Sequence, residues 1–266
     1  MTRAHCSCAR SPYNHPIRLA LLKGRIAREA RGLLTRRRVD EPLDWLRFRL
    51  DTFPRAGRLN SVYQPLPWLG LHAAKRAEGT ASRWAAMERV LDGCDPQSAL
   101  DVGCNRGFFT LSAAGRGIPT IGVESDPPAY RSALYAIRKA GVADAGLLIL
   151  TVRPENVALL PASDAVLCLS LWHHFVREHG LQVATGMLAA LWDRTGQVLF
   201  FDTGEDEMPA SYNLPAMLPE PRTWLAGYLE STCAGAEVAH LGQHEAFRAD
   251  GRPCLRNLFA VMRGSH

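Results

Sequence analysis

The sequence predicts an α/β protein built on a doubly wound, seven-stranded, mostly parallel sheet, preceded by a basic helical extension. Three observations predict it. From residue 98 onward, short apolar runs alternate with stretches of helical periodicity, the pattern of neighbouring strands with helices on both faces of the sheet. The run Asp101-Val-Gly-Cys-Asn-Arg-Gly-Phe-Phe109 joins an apolar strand to a helical pattern through two glycines. The next strand, Thr120-Ile-Gly-Val123, ends in an acid, Glu124.

Taken in order, strands are expected near 98–103, 119–123, 146–151, 164–170, 196–202, 236–241 and 256–263, and helices near 81–91, 106–115, 127–140, 176–192 and 222–233. A polar, proline-containing insert, Gly204 to Pro221, separates the fifth strand from the last helix. Residues 81–266 therefore read as one domain. Residues 1–80 read as an extension. Within it, Leu22, Ile26, Ala30 and Leu33 recur at helical spacing among Arg18, Arg25 and Arg28, which describes a basic amphipathic helix. A second amphipathic piece spans Leu43–Leu50, and Asn60–Gly70, with Tyr63, Pro65, Pro67 and Trp68, reads as an ordered loop.

The bulk numbers bound the class. A chain of 266 residues holds one sizeable core and an appendage, and 47% apolar with 21% charged residues is ordinary for a globular protein. No apolar run is long enough to span a bilayer. Seven cysteines, odd in number and scattered, point to a reducing, cytoplasmic setting rather than a disulfide framework. His5-Cys-Ser-Cys8 with His15 is too cramped to be read as a metal site, and no metal is expected. Charge is uneven. Residues 1–40 hold ten Lys or Arg against Glu29 and Asp40, so the remainder of a chain of net charge +5 carries −3. The arm can dock its apolar stripe on the domain, lie on RNA phosphates or on anionic lipid, or serve as a transit peptide, since residues 1–28 contain no acid.

The glycine turn and the acid define a pocket. A turn at a helix start brings backbone N–H groups and the positive end of the helix dipole toward an anionic group. An acid at the next strand tip suits a ribose diol. The spacing is not that of a dinucleotide fold, which wants three glycines as G-x-G-x-x-G. Here position 105 is Asn and position 108 is Phe, and the pattern is Asp101-x-Gly103-x-x-x-Gly107.

That pattern resembles motif I of the class I S-adenosylmethionine-dependent methyltransferases, and Glu124 matches the acid that closes their second strand. Glu155-Asn-Val-Ala-Leu-Leu-Pro161 followed by Asp164-Ala-Val-Leu-Cys-Leu-Ser170 is similar to their adenine loop and fourth strand. The resemblance covers residues from about 80 to 263. It implies a Rossmann-like methyltransferase fold with strand order 3-2-1-4-5-7-6, strand 7 antiparallel, and S-adenosyl-L-methionine as cofactor. It places the methionine end of the cofactor over Gly103, Asn105 and Gly107, the ribose on Glu124, and adenine beside Glu155 or Asn156, with Ser170 at the end of strand 4. Asp101 either orders the glycine turn or meets the cofactor's amino group.

The stretch after strand 4, Ser170-Leu-Trp-His-His-Phe175, is expected to be a loop facing the acceptor. His173 or His174 can act there as a general base or line the pocket. The stretch lacks the Asn/Asp-Pro-Pro-aromatic run by which many of these enzymes hold a planar nitrogen, so O-methylation of a small molecule is favoured. The rivals are an RNA methyltransferase that uses the basic arm and an inactive cofactor-binding partner protein. Arg83 and Trp84 are further pocket-wall candidates, with plain core the preferred reading for Trp84, and Tyr212, Asn213 and Trp224 from the region of the insert are candidates for the acceptor pocket. Asp202, Glu205, Asp206 and Glu207 read as a wet acidic loop, with a cationic acceptor or a metal as the alternatives.

Overall fold

The computed structural model describes residues 46, 48, 64–72, 76–248 and 250–264. The basic arm and the 1–40 partner surface lie outside the described residues. The larger compact unit runs Arg47–His266. It thus takes in residues 64–72, which the sequence reading assigned to the extension.

Six α-helices and seven strands are described: α1 Ala77–Cys94, β1 Ala99–Val102, α2 Phe108–Gly115, β2 Thr120–Glu124, α3 Pro127–Ala140, β3 Ala145–Ile149, β4 Ser163–Leu169, α4 Trp172–His179, α5 Leu181–Asp193, β5 Thr195–Asp202, α6 Pro221–Thr232, β6 Ala236–Phe247 and β7 Pro253–Arg263. The sheet order is β3-β2-β1-β4-β5-β7-β6. The first five pair in parallel, and β7 runs antiparallel to both β5 and β6. This is the expected order. The order in which strands are added turns back between β1 and β4, β2 lying to one side of β1 and β4 to the other, and the crevice outside the carboxyl ends of such strands is where open α/β sheets bind ligands.

The central strands are apolar on both faces because both faces are covered. Along β5, Leu199 and Phe201 join a core with α4, α5 and α6 residues such as Phe175, Leu188 and Leu225. The alternate residues Val198 and Phe200 join Met87 and Leu91 of α1 and Phe108 and Phe109 of α2 on the other face. The period-2 alternation of strand side chains produces this division. Cys104, Cys168 and Cys233 are buried thiols, and the five described cysteines are free.

Three elements differ from expectation. The helix expected over 176–192 is two helices broken at Gly180, and α4 begins at Trp172, inside the stretch read as a loop. No side chain caps the start of α4, so no residue type announces it. Helix α1 starts at Ala77 rather than near 81; Gly79, a weak helix former that masks its first turn in the sequence, lies flush against β6. A Cβ there would stand 1.9 Å from the Glu245 carbonyl oxygen. Strand β6 continues past 241 through a register shift between His240 and Gln243, where polar residues mask the strand pattern.

Segment 64–72 is part of the fold. Leu66 and Leu71 exchange two backbone hydrogen bonds of 2.7 and 3.1 Å. Leu66 is buried with Leu111 of α2 and Tyr135 and Ile137 of α3, and the Trp68 ring sits 5.7 Å from that of Phe108.

Candidate functional site

A cavity of about 420 Å³ opens at the carboxyl ends of β1, β2 and β4. Its floor is the glycine turn. Gly103 (φ 76°) and Gly107 (φ 81°) both adopt left-handed backbone, and a Cβ on Gly107 would come within 3.2 Å of the Ala133 Cβ. Between them Asn105 is left-handed too (φ 52°), a conformation that Asn tolerates better than most residues. Asp101 is buried, and its Oδ2 accepts a 2.7 Å hydrogen bond from Thr110 Oγ1. It therefore ties β1 to α2 across the turn. Burial pushes its carboxyl up to about 6, against the lowering effect of the Thr110 hydrogen bonds, with the Glu124 charge adding to the rise.

Glu124 stands at the tip of β2, buried in the cavity wall. Its Oε2 accepts the Asn105 N–H and its Oε1 accepts the N–H groups of Ser125 and Asp126, all at 2.7 Å. Three charge-assisted bonds hold the carboxylate in one orientation, and one of them comes from the glycine turn itself. Asn105 Oδ1 is buried without a partner among the described residues.

The β4 side of the cavity is built around Asp202, at the end of β5. Its Oδ1 accepts both the N–H (2.6 Å) and the hydroxyl (2.9 Å) of Ser170, and its Oδ2 accepts Arg83 Nη1 of α1 at 2.6 Å. Burial opposes ionisation of Asp202, but the Arg83 guanidinium beside it brings its carboxyl net below the ordinary range. Arg83 is buried as well. It donates from Nε to the Gly79 carbonyl and lies over the Phe109 ring at 5.3 Å. Both Arg83 and Ser170 line the cavity, whereas Trp84 packs into the α1 core.

The two histidines part company. His173 is buried, and its Nδ1 accepts the Gly204 N–H at 2.9 Å with Thr203 Oγ1 at 3.1 Å. Burial first, then the nearby His174, Arg256, Arg76 and Arg177, lowers its pKa to about 2. It does not line the cavity. His174, half-buried, does. Burial and the Arg177 charge also lower its pKa. Tyr212 packs its ring 5.7 Å from each histidine and its hydroxyl accepts from Arg177, but it stands behind the lining. Asn213 is exposed, and Trp224 stacks on Tyr228 at 5.0 Å beside Trp172.

Neither Glu155 nor Asn156 lines the cavity; the neighbouring Leu150, Thr151 and Val152 do. Glu155 is exposed. Asn156 braces the loop, accepting from Arg153 N–H and donating to the Thr151 carbonyl. The insert is not a wet acidic loop. Asp202 and Glu205 are buried, Glu207 pairs with Arg256 at 2.7 Å, and Asp206 alone of the four is exposed. Glu205 receives the Asn257 backbone and side-chain N–H groups, and burial pushes its carboxyl up to about 7. Alternation in β7 conceals Asn257 and Arg256 as partners, since a strand pattern carries no sign of which polar residues point inward. Among the described residues no group of three or more His, Cys, Asp or Glu could hold a metal ion.

No protein-family model matches the chain. One curated relative, the O-antigen chain terminator bifunctional methyltransferase/kinase WbdD of Escherichia coli, is 29% identical over 106 residues, which is 39% of this chain and 15% of that protein. The WbdD crystal structure matches with a TM-score of 0.56 at 24% identity, over 75% of this chain and 44% of that one. Magnesium protoporphyrin IX methyltransferase (ChlM) from Synechocystis PCC 6803, crystallised with SAM bound, matches with a TM-score of 0.52 at 17% identity over 70% and 79% of the two chains. The chain has the class I S-adenosylmethionine-dependent methyltransferase fold. It spans less than half the length of WbdD. In this methyltransferase fold, the cavity occupies the carboxyl edge where the strand order turns back, with Glu124 and the glycine turn facing each other across a 2.7 Å hydrogen bond.

Proposed function

We propose that this protein is an S-adenosylmethionine-dependent methyltransferase acting on a small molecule through an oxygen nucleophile. The observation that carries the reading is the Glu124 carboxylate, pinned by three backbone N–H groups on the wall of a 420 Å³ cavity. Oε1 is filled by two N–H donors, and Oε2, with one, keeps a lone-pair site for a ribose hydroxyl. The residues fit the cofactor by a second test. Asn105 Oδ1 is a buried acceptor without a protein partner, a costly arrangement unless a ligand donor reaches it. Gly103, Asn105 and Glu124 would hold the sulfur nucleoside, with Leu150, Thr151 and Val152 beside its base. When bound, S-adenosylmethionine supplies a methyl group already activated on a sulfonium.

The chain's own work is then to orient an acceptor and to manage one proton. Arg83, Asp202 and Ser170 tie one another together beside β4, so that wall of the cavity is rigid. His174 lines the cavity, and the depressed pKa of its ring keeps it neutral near pH 7. A neutral imidazole can take the proton that a hydroxyl must lose on methylation. His173, with Nδ1 committed to Gly204, positions the start of α4. A small acceptor is favoured over a polyanion because the chain from residue 41 onward carries a net −3, which offers phosphates no attractive field.

Calorimetric titration with S-adenosylhomocysteine, with NAD as control, tests the cofactor reading. Binding of the sulfur nucleoside but not of NAD supports it and justifies a screen of hydroxyl-bearing acceptors. No binding by folded protein overturns it.

A further inference from the structure

Not every wall residue of the cavity comes from the glycine turn or the strand tips. Gln64 lies outside the glycine turn and the strand tips, in the segment that precedes α1, yet it lines the cavity and is only 6% exposed. Its Oε1 is buried and has no hydrogen-bond partner among the described residues. Chance placement does not account for it, because the residues that follow are anchored. Leu66 is fully buried against Leu111 and Tyr135, its bridge to Leu71 closes a tight turn, and Trp68 rests on Phe108. The chain thus carries an amide oxygen to the cavity wall and holds it there. Leaving such an acceptor desolvated and unpaired is costly unless a ligand donor meets it.

We propose that Gln64 is a ligand-contacting residue whose side-chain oxygen accepts a hydrogen bond from the α-ammonium group of the bound sulfur nucleoside. The inference rests on the function proposed above. A carbonyl oxygen seeks a donor, and that ligand has three sets of donors. The ribose hydroxyls are matched by Glu124, and the exocyclic amine falls to the segment after β3. The ammonium is left. It also suits the charge around it, since Asp101 on the cavity wall is a carboxylate and Arg83 offers the cationic counterpart for an adjacent carboxylate. Arg83, Asp101 and Gln64 together complement an amino-acid zwitterion: a cation, an anion and a neutral acceptor. The segment before α1 therefore belongs to the binding site and selects ligands that keep the amino-acid end.

The test uses the full chain, Gln64→Leu, and two ligands: S-adenosylhomocysteine and 5′-methylthioadenosine, which lacks the amino-acid end. A hydrogen bond to a charged donor is worth roughly a ten- to hundredfold change in affinity. Calorimetry is expected to show S-adenosylhomocysteine weakened by that factor in Gln64→Leu while 5′-methylthioadenosine binds both proteins equally. Gln64→Asn, which keeps the amide on a shorter stem, is expected to show the same selective loss. Equal weakening of both ligands would assign Gln64 a packing role and overturn the proposal, as would unchanged affinity for both. If the wild-type protein binds neither ligand, it is the proposed function that fails, and this inference with it.

Discussion

Replacing Glu124 by Gln changes one atom of the side chain and shows what the site depends on. The carboxylate accepts from Asn105 on one oxygen and from Ser125 and Asp126 on the other, each at 2.7 Å. An amide has one acceptor and one two-proton donor. Its best orientation keeps the oxygen on Ser125 and Asp126 and turns the NH₂ toward the Asn105 N–H, where two donors then face each other. The loss is one hydrogen bond to a charged group, about 1.5–3 kcal/mol, with an N–H left unpaired. Because that bond joins the β2 tip to the glycine turn, the loss falls on both stability and binding. Chemical denaturation is expected to show E124Q about 2 kcal/mol less stable, and calorimetry to show S-adenosylhomocysteine bound at least tenfold more weakly. E124Q bound within threefold of wild type would refute the reasoning, because the carboxylate would then neither shape the turn nor meet the ligand.

Three other outcomes are expected. Arg83→Met leaves Asp202 charged and buried without its ion-pair partner, hydrogen-bonded to Ser170, so it should cost about 3–5 kcal/mol and lower the melting temperature by roughly 6–20 °C; adding Asp202→Asn should recover part of that, and a single-variant loss below about 1 kcal/mol would show the pair to be dispensable. Glu205 has a folded-state pKa near 7 against an ordinary 4.5, so its contribution is full below pH 4.5 and is lost as pH rises through 7. The stability of Glu205→Gln relative to wild type should therefore grow by about 1 kcal/mol between pH 6 and 8. The opposite slope from His173, whose pKa is lowered, is common to both proteins and cancels; a flat difference would remove Glu205 as a titrating group. Once an acceptor is in hand, His174→Asn should lower turnover about a hundredfold or more while S-adenosylhomocysteine affinity stays within threefold, and full turnover would exclude His174 as the base.

The strands and the facing of Glu124 with the glycine turn were legible because each rests on local signals: alternating periodicity, two glycines at fixed spacing, an acid at a strand end; the strand order followed only from the family that the turn resembles. The strand at 164–170 and its neighbour at 196–202 were legible for the same reason, being apolar on both faces. What escaped depends on contacts distant in sequence. Nothing near Asp202 foretells Arg83, 119 residues earlier, or that Glu205 would bury itself on Asn257. The break at Gly180 was hidden because α4 and α5 present their apolar residues to the same core, so one helical pattern runs through both. Gln64 was read as part of a loop, and only the packing of Leu66 and Trp68 onto α2 and α3 brings it to the cavity.

The Arg83–Asp202 pair also decides how traffic can pass. A helix that precedes the first strand is well placed to swing as a door over the crevice. Here the door is bolted. Swinging α1 outward would pull the guanidinium off Asp202 and strand a charge in the interior, so at about 3–5 kcal/mol fewer than roughly one molecule in a hundred would stand open in that way at any instant. Gly79, seated flush on β6, adds a second bolt on the same hinge.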